Sequence, residues 1–129
     1  QMETDGLKGI YENGEILTFS IRVYGHDAYL KIFWFDDNGG SLIYPSDYDS
    51  DMLFKKDFEY KFPINPTIEY TMEKLDKSDK FETINFIAVA TKRDIPFLED
   101  NITVDTVLKW IYTIPADERA ACREAIVIQ

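Results

Sequence analysis

Cysteine and histidine each occur once in this chain of 129 residues, as Cys122 and His26. A single thiol excludes an internal disulfide, and one thiol with one imidazole excludes the Cys/His spacings of a structural zinc site. Neither GxxxxGK[ST] nor GxGxxG is present, so no glycine-rich loop is offered to a phosphate. GxSxG is missing too, and no serine or cysteine sits beside His26 in a nucleophile motif. Basic residues are scarce, 14 against 24 acidic ones, and the resulting net charge of −10 repels phosphate backbones and anionic lipid. Nucleic acid is therefore not an expected partner. No apolar run approaches about 18 residues, so no membrane span is expected.

The chain opens QMETDG, without the basic, apolar and small-residue order of a signal peptide, and closes on the strand-like AIVIQ. Both ends read as those of a segment excised from a longer protein. What is present is core material: 45% hydrophobic and 15% aromatic residues suffice for one packed domain over residues 1–129.

Hydrophobic periodicity points to a mainly β fold. EILTFSIRV at 15–23 places Leu17, Phe19, Ile21 and Val23 on one side of a strand, with Thr18, Ser20 and Arg22 on the other. AYLKIFWF at 28–35 is apolar on both faces apart from Lys31. The DDNGG that follows is turn chemistry for a hairpin whose second arm ends at Pro45. TIEYTMEKL at 67–75 alternates cleanly. FETINFIAVAT is apolar on both faces from Phe86 to Ala90, which predicts a central strand covered twice. The second cover comes from residues 103–112, where Val104, Val107, Leu108 and Ile111 form a helical stripe behind a Thr103 or Asn101 cap. Pro115 with Asp117 and Glu118 predicts another short helix, carrying Cys122 near its end as a buried, inert thiol, before EAIVIQ returns to strand. The expected architecture is an Ig-like antiparallel β-sandwich of about six or seven strands with two short helices in its C-terminal part.

One short stretch has a chemical look. In SDYDSD the side chains of Asp47, Asp49 and Asp51 match the first ligand positions of a calcium loop, but Met52 stands where that loop needs glycine and Phe58 where it needs its bidentate glutamate. The three aspartates are candidate calcium ligands of an irregular loop. A solvated acidic turn is the preferred reading, and otherwise no cofactor is expected. Asp36 and Asp37 fall about 16 Å away along a hairpin arm, too far to complete the sphere or to form a glycosidase pair, and read as turn residues. His26 and Asp27 lie nearer to it. Tyr24, Tyr29, Phe33, Trp34, Phe35, Tyr44 and Tyr48 crowd the first half. Core packing explains them best, and stacking on sugar rings is the alternative if two or more share an exposed face.

The order of Gly14-Glu15 opening a strand, then AYLKIFWFDDNGGSLIYPS, Phe62-Pro63 and INFIAVAT resembles a bacterial domain-of-unknown-function family. That family is found beside caspase-like peptidases and serine/threonine kinases and in exported lipoproteins. The resemblance covers about residues 10–97; where the family commonly has asparagine after the strand-closing proline, this chain has Ser46. It implies a β-sandwich accessory domain without assigned catalytic residues, set in the cell envelope, periplasm or extracellular space. The expected function is thus a non-enzymatic interaction or regulatory module whose partner is a protein or adjoining domain. The runner-up is a carbohydrate-binding module using surface aromatics, with calcium at Asp47, Asp49 and Asp51. A small hydrolase using His26 comes third.

Overall fold

A computed structural model describes all 129 residues. In chain order the strands are β1 (Met2–Asp5), β2 (Ile10–Tyr11), β3 (Glu15–Leu17), β4 (Phe19–Val23), β5 (Tyr29–Asp36), β6 (Gly39–Tyr44), β7 (Glu59–Phe62), β8 (Tyr70–Met72), β9 (Glu82–Thr91) and, after helix α1 (Val104–Thr113) and a 3-10 turn at Ala116–Glu118, β10 (Arg119–Ile128). They form three sheets, of order β1-β4-β7, β2-β10-β9-β5-β6 and β3-β8, with no closed barrel. All pairings are antiparallel except that of β2 with β10.

Two hydrophobic layers follow from strands that are apolar on both faces. Leu30 and Ile32 of β5 and Ile84, Phe86 and Ala88 of β9 enter the larger core, where they meet Ile21 and Val23 of β4, Leu17 of β3 and Met72 of β8. The two smaller sheets thus cover one face of the five-stranded sheet. Phe33 and Phe35 of β5 and Ile87 and Val89 of β9 point the other way, onto Val107, Trp110 and Ile111 of α1. β9 is the middle strand of its sheet and is covered on both faces, as its composition predicts. An aromatic cluster centres the larger core: Phe62 stacks on Phe19 at 5.1 Å and takes Tyr44 edge-on at 5.1 Å.

The helix starts where expected. The Thr103 hydroxyl accepts from the Thr106 amide at 3.0 Å, and the Thr106 hydroxyl accepts from the Thr103 amide at 2.9 Å, a reciprocal cap. Its far end is closed by Arg119, whose Nη1 donates to the carbonyls of Ile111 and Ile114 at 2.6 and 2.8 Å, a cation set against the negative end of the helix. Gly40 belongs to the same joint. A Cβ there would overlap the Ile102 carbonyl oxygen, so glycine lets the segment leading into α1 cross β6.

The elements depart from expectation in three places. The 15–23 run is two strands, broken at Thr18, because β3 pairs with β8 while β4 pairs with β1 and β7. The second helix is only the 3-10 turn Ala116–Glu118, and Cys122 lies on β10 opposite Ala88 instead of at a helix end, since pairing with β9 outweighs the helical preference of RAACREA. Strand segments number ten, because the polar β1 and the short β2 carry no periodicity strong enough to read.

Candidate functional site

The acidic stretch after β6 is held by one residue turned inward. Asp49 is fully buried, whereas Asp47 and Asp51 are exposed. Its Oδ1 accepts from the Asn65 amide at 2.8 Å, and its Oδ2 accepts from the Ile64 amide at 3.0 Å and the Tyr70 hydroxyl at 3.1 Å. Three donors from two other chain segments thus meet the charge of a buried carboxylate. The loop closes on itself behind it: the Ser46 amide donates to the Asp49 carbonyl and the Asp49 amide to the Ser46 hydroxyl, both at 3.0 Å. Tyr44 then donates its hydroxyl to the Ser50 carbonyl at 3.0 Å.

This geometry separates the three candidate ligands. Asp47, Asp49 and Asp51 do not surround a common point, and no three histidine, cysteine or acidic side chains converge anywhere in the fold. A wholly solvated turn is likewise not what forms, because the central aspartate belongs to the core. Burial, followed by the nearby aspartate charges, pushes the Tyr44 and Tyr70 hydroxyls well above their ordinary pKa.

A second carboxylate does the same work elsewhere. Glu82, at the start of β9 and 5% exposed, accepts from the Leu75 and Asp76 amides at 2.7 and 3.0 Å and so fixes the turn after β8. Sequence reasoning missed it, because a glutamate at a strand entry has no distinguishing pattern. Ser20 is 9% exposed and donates to Glu59 across β4 and β7 at 2.8 Å.

The remaining candidates are dispersed. His26 sets Nδ1 2.8 Å from the Asp27 carbonyl oxygen. The Asp27 carboxylate turns away to the Lys56 amide at 2.9 Å and the Lys55 ammonium at 3.5 Å, and that amide, above all, holds its pKa below the usual carboxylate value. Neither residue joins the Asp49 loop. Asp36 accepts from the Asn38 amide at 2.8 Å, the turn role expected of it. Cys122 is half-buried and its thiol is pushed up, chiefly by burial. Among the crowded aromatics, Phe33, Phe35 and Tyr44 are buried, Tyr24, Tyr29 and Trp34 are partly so, and Tyr48 alone is exposed, at 75%.

Depressions in the surface are shallow. The broadest, about 640 Å³, runs over β4 and β7 between Ile16, Thr18, Pro63, Pro66 and Glu69. Another, about 330 Å³, lies between β5-β6 and β8 and is lined by Trp34, Ile43, Tyr70, Glu69 and Glu73 among others. Comparison with protein families, with curated proteins and with solved structures finds no match to this chain.

Proposed function

We propose that the chain is a non-enzymatic interaction or regulatory module of a larger bacterial cell-envelope protein, built as an Ig-like β-sandwich of the accessory-domain kind its motifs resemble. The observation that carries this reading is the use made of the buried carboxylates. Asp49 and Glu82 each spend their oxygens on backbone amides of neighbouring loops. His26 and Cys122 stand on different elements, the first in the β4–β5 turn and the second within β10. Catalysis by these groups requires a nucleophile, a base and a donor within hydrogen-bond reach of one substrate atom, whereas His26 and Cys122 stand apart and the two buried carboxylates are engaged in holding loops. Partners then meet a surface and its loops, over a rigid scaffold.

The test is retention from a cell-envelope extract on immobilised chain 1–129, followed by reconstitution with the purified binder. Saturable binding of one protein, kept after glycosidase treatment, supports the reading. Retention of polysaccharide overturns it in favour of a carbohydrate-binding module acting through exposed rings such as Tyr48. Absence of any saturable binder also overturns it.

A further inference from the structure

The five-stranded sheet ends on an unusual edge. β10 runs from Arg119 to Ile128 in unbroken register with β9, yet on its outer side only Val127 and Ile128 are paired, with the short β2. No other backbone hydrogen bond reaches residues 119–125 from that side. β1 runs past this segment without pairing with it, since its partner is β4. The helix touches it at one end only, where the Arg119 guanidinium donates to the Ile111 and Ile114 carbonyls; the hydrophobic layer under α1 draws on β5 and β9 and takes nothing from β10. Ala121, Arg123, Glu124 and Ala125 are consequently exposed. Proteins blunt such edges with proline, bulges, very short strands or charged side chains, and of these residues 119–125 have only the charges of Arg119, Arg123 and Glu124.

We propose that this edge pairs with the same edge of a second copy of the chain, antiparallel and about a two-fold axis through Cys122. Residues that face each other across a pleated pair share a face, so a symmetric pair must centre on a residue and not between two. The free segment 119–125 has Cys122 at its midpoint. Centred there, all of it pairs, and every charged side chain faces an alanine: Arg119 opposite Ala125, Arg123 opposite Ala121 and Glu124 opposite Ala120. Centring on Ala121 sets Arg119 against Arg123. Centring on Arg123 or Glu124 sets that residue against its own copy, and like charges directly opposed are destabilising. Centring on Ala120 or Ala125 opposes no like charges but pairs only three residues, so the Cys122 register is the one that uses the whole free segment. The strip also carries two arginines and one glutamate within a chain of net charge −10, which makes it a place where two copies repel each other little.

The register makes a sign-sensitive forecast at Ala121, an exposed position facing Arg123 of the second copy. Sedimentation equilibrium from micromolar to submillimolar concentration is expected to show a monomer–dimer equilibrium in the parent chain. Ala121→Glu adds an attractive cross-strand pair and Ala121→Arg a repulsive one, each twice per dimer. Roughly 2- to 30-fold tighter and weaker association follow, respectively. Unchanged melting of both variants as monomers shows that the fold is kept. A chain that stays monomeric throughout overturns the proposal. So does a dimer that responds alike to both substitutions, which would place the contact elsewhere.

Discussion

Asp49 and Asn65 bind each other's chain segments reciprocally. The Asn65 amide donates to the Asp49 carboxylate at 2.8 Å, while the Asn65 side-chain amide donates to the carbonyl of Tyr48, also at 2.8 Å. Two loops distant in sequence are thereby joined beside Tyr70, at the rim of the larger core. Removing the carboxylate with Asp49→Ala orphans two backbone amides and a tyrosine hydroxyl, and is expected to cost about 3–5 kcal/mol in a urea titration. Asp47→Ala and Asp51→Ala, at exposed positions, should each stay within about 0.5 kcal/mol of the parent. Equal effects at all three positions would contradict a structural role confined to Asp49.

Alkaline pH tests the same junction. The Tyr70 hydroxyl is raised by burial and then by the Asp49 charge. A raised folded-state value means the folded chain holds its proton more tightly than the unfolded chain. Its contribution is complete below the unfolded tyrosine value of about 10 and is lost as pH climbs above it. Stability should fall above about pH 10. Tyr70→Phe, though weaker at neutral pH through its lost hydrogen bond, should show a shallower alkaline slope.

Acid works through different groups. Glu15 is lowered first by its bond to Lys8, Asp27 by the Lys56 amide and Asp76 by the Ser78 hydroxyl. For depressed carboxylates the stabilisation is present above the unfolded values near 4 and disappears as pH falls through the folded ones. Asp76 is exposed and Glu15 and Asp27 are partly so, and solvent screening keeps the acid slope they give small. Asp27→Asn combined with Asp76→Asn should flatten it further in melts between about pH 5 and pH 2.5.

The helix joint offers a mechanical check. Thr103→Ala removes the reciprocal cap and should cost about 1 kcal/mol. Gly40→Ala forces β6 and the Ile102 backbone apart and should cost about 1–3 kcal/mol. Both are read from denaturant midpoints at constant slope.

These contrasts show where the sequence was legible. β9 and α1 were readable because their periodicities are strong and unambiguous: Ile84, Phe86 and Ala88 against Ile87 and Val89, and Val107 with Ile111 behind a threonine cap. The break at Thr18 was not, since alternation continues unbroken while the pairing partner changes. Residues 119–125 look helical locally and become a strand only by lying against β9. The inward turn of Asp49 was illegible for a related reason. DxDxD announces three equivalent carboxylates, whereas what singles out the middle one is a pair of amides 15 and 16 residues away and a tyrosine 21 away. Such donors have no local signature.

We read the Asp49 loop as scaffold and not as a cation site. Thermal unfolding of chain 1–129 with and without millimolar calcium tests this reading most directly. Superimposable melting curves are the predicted result. A calcium-dependent rise in Tm that disappears in both Asp47→Ala and Asp51→Ala, whose side chains are solvated in this fold, would contradict it.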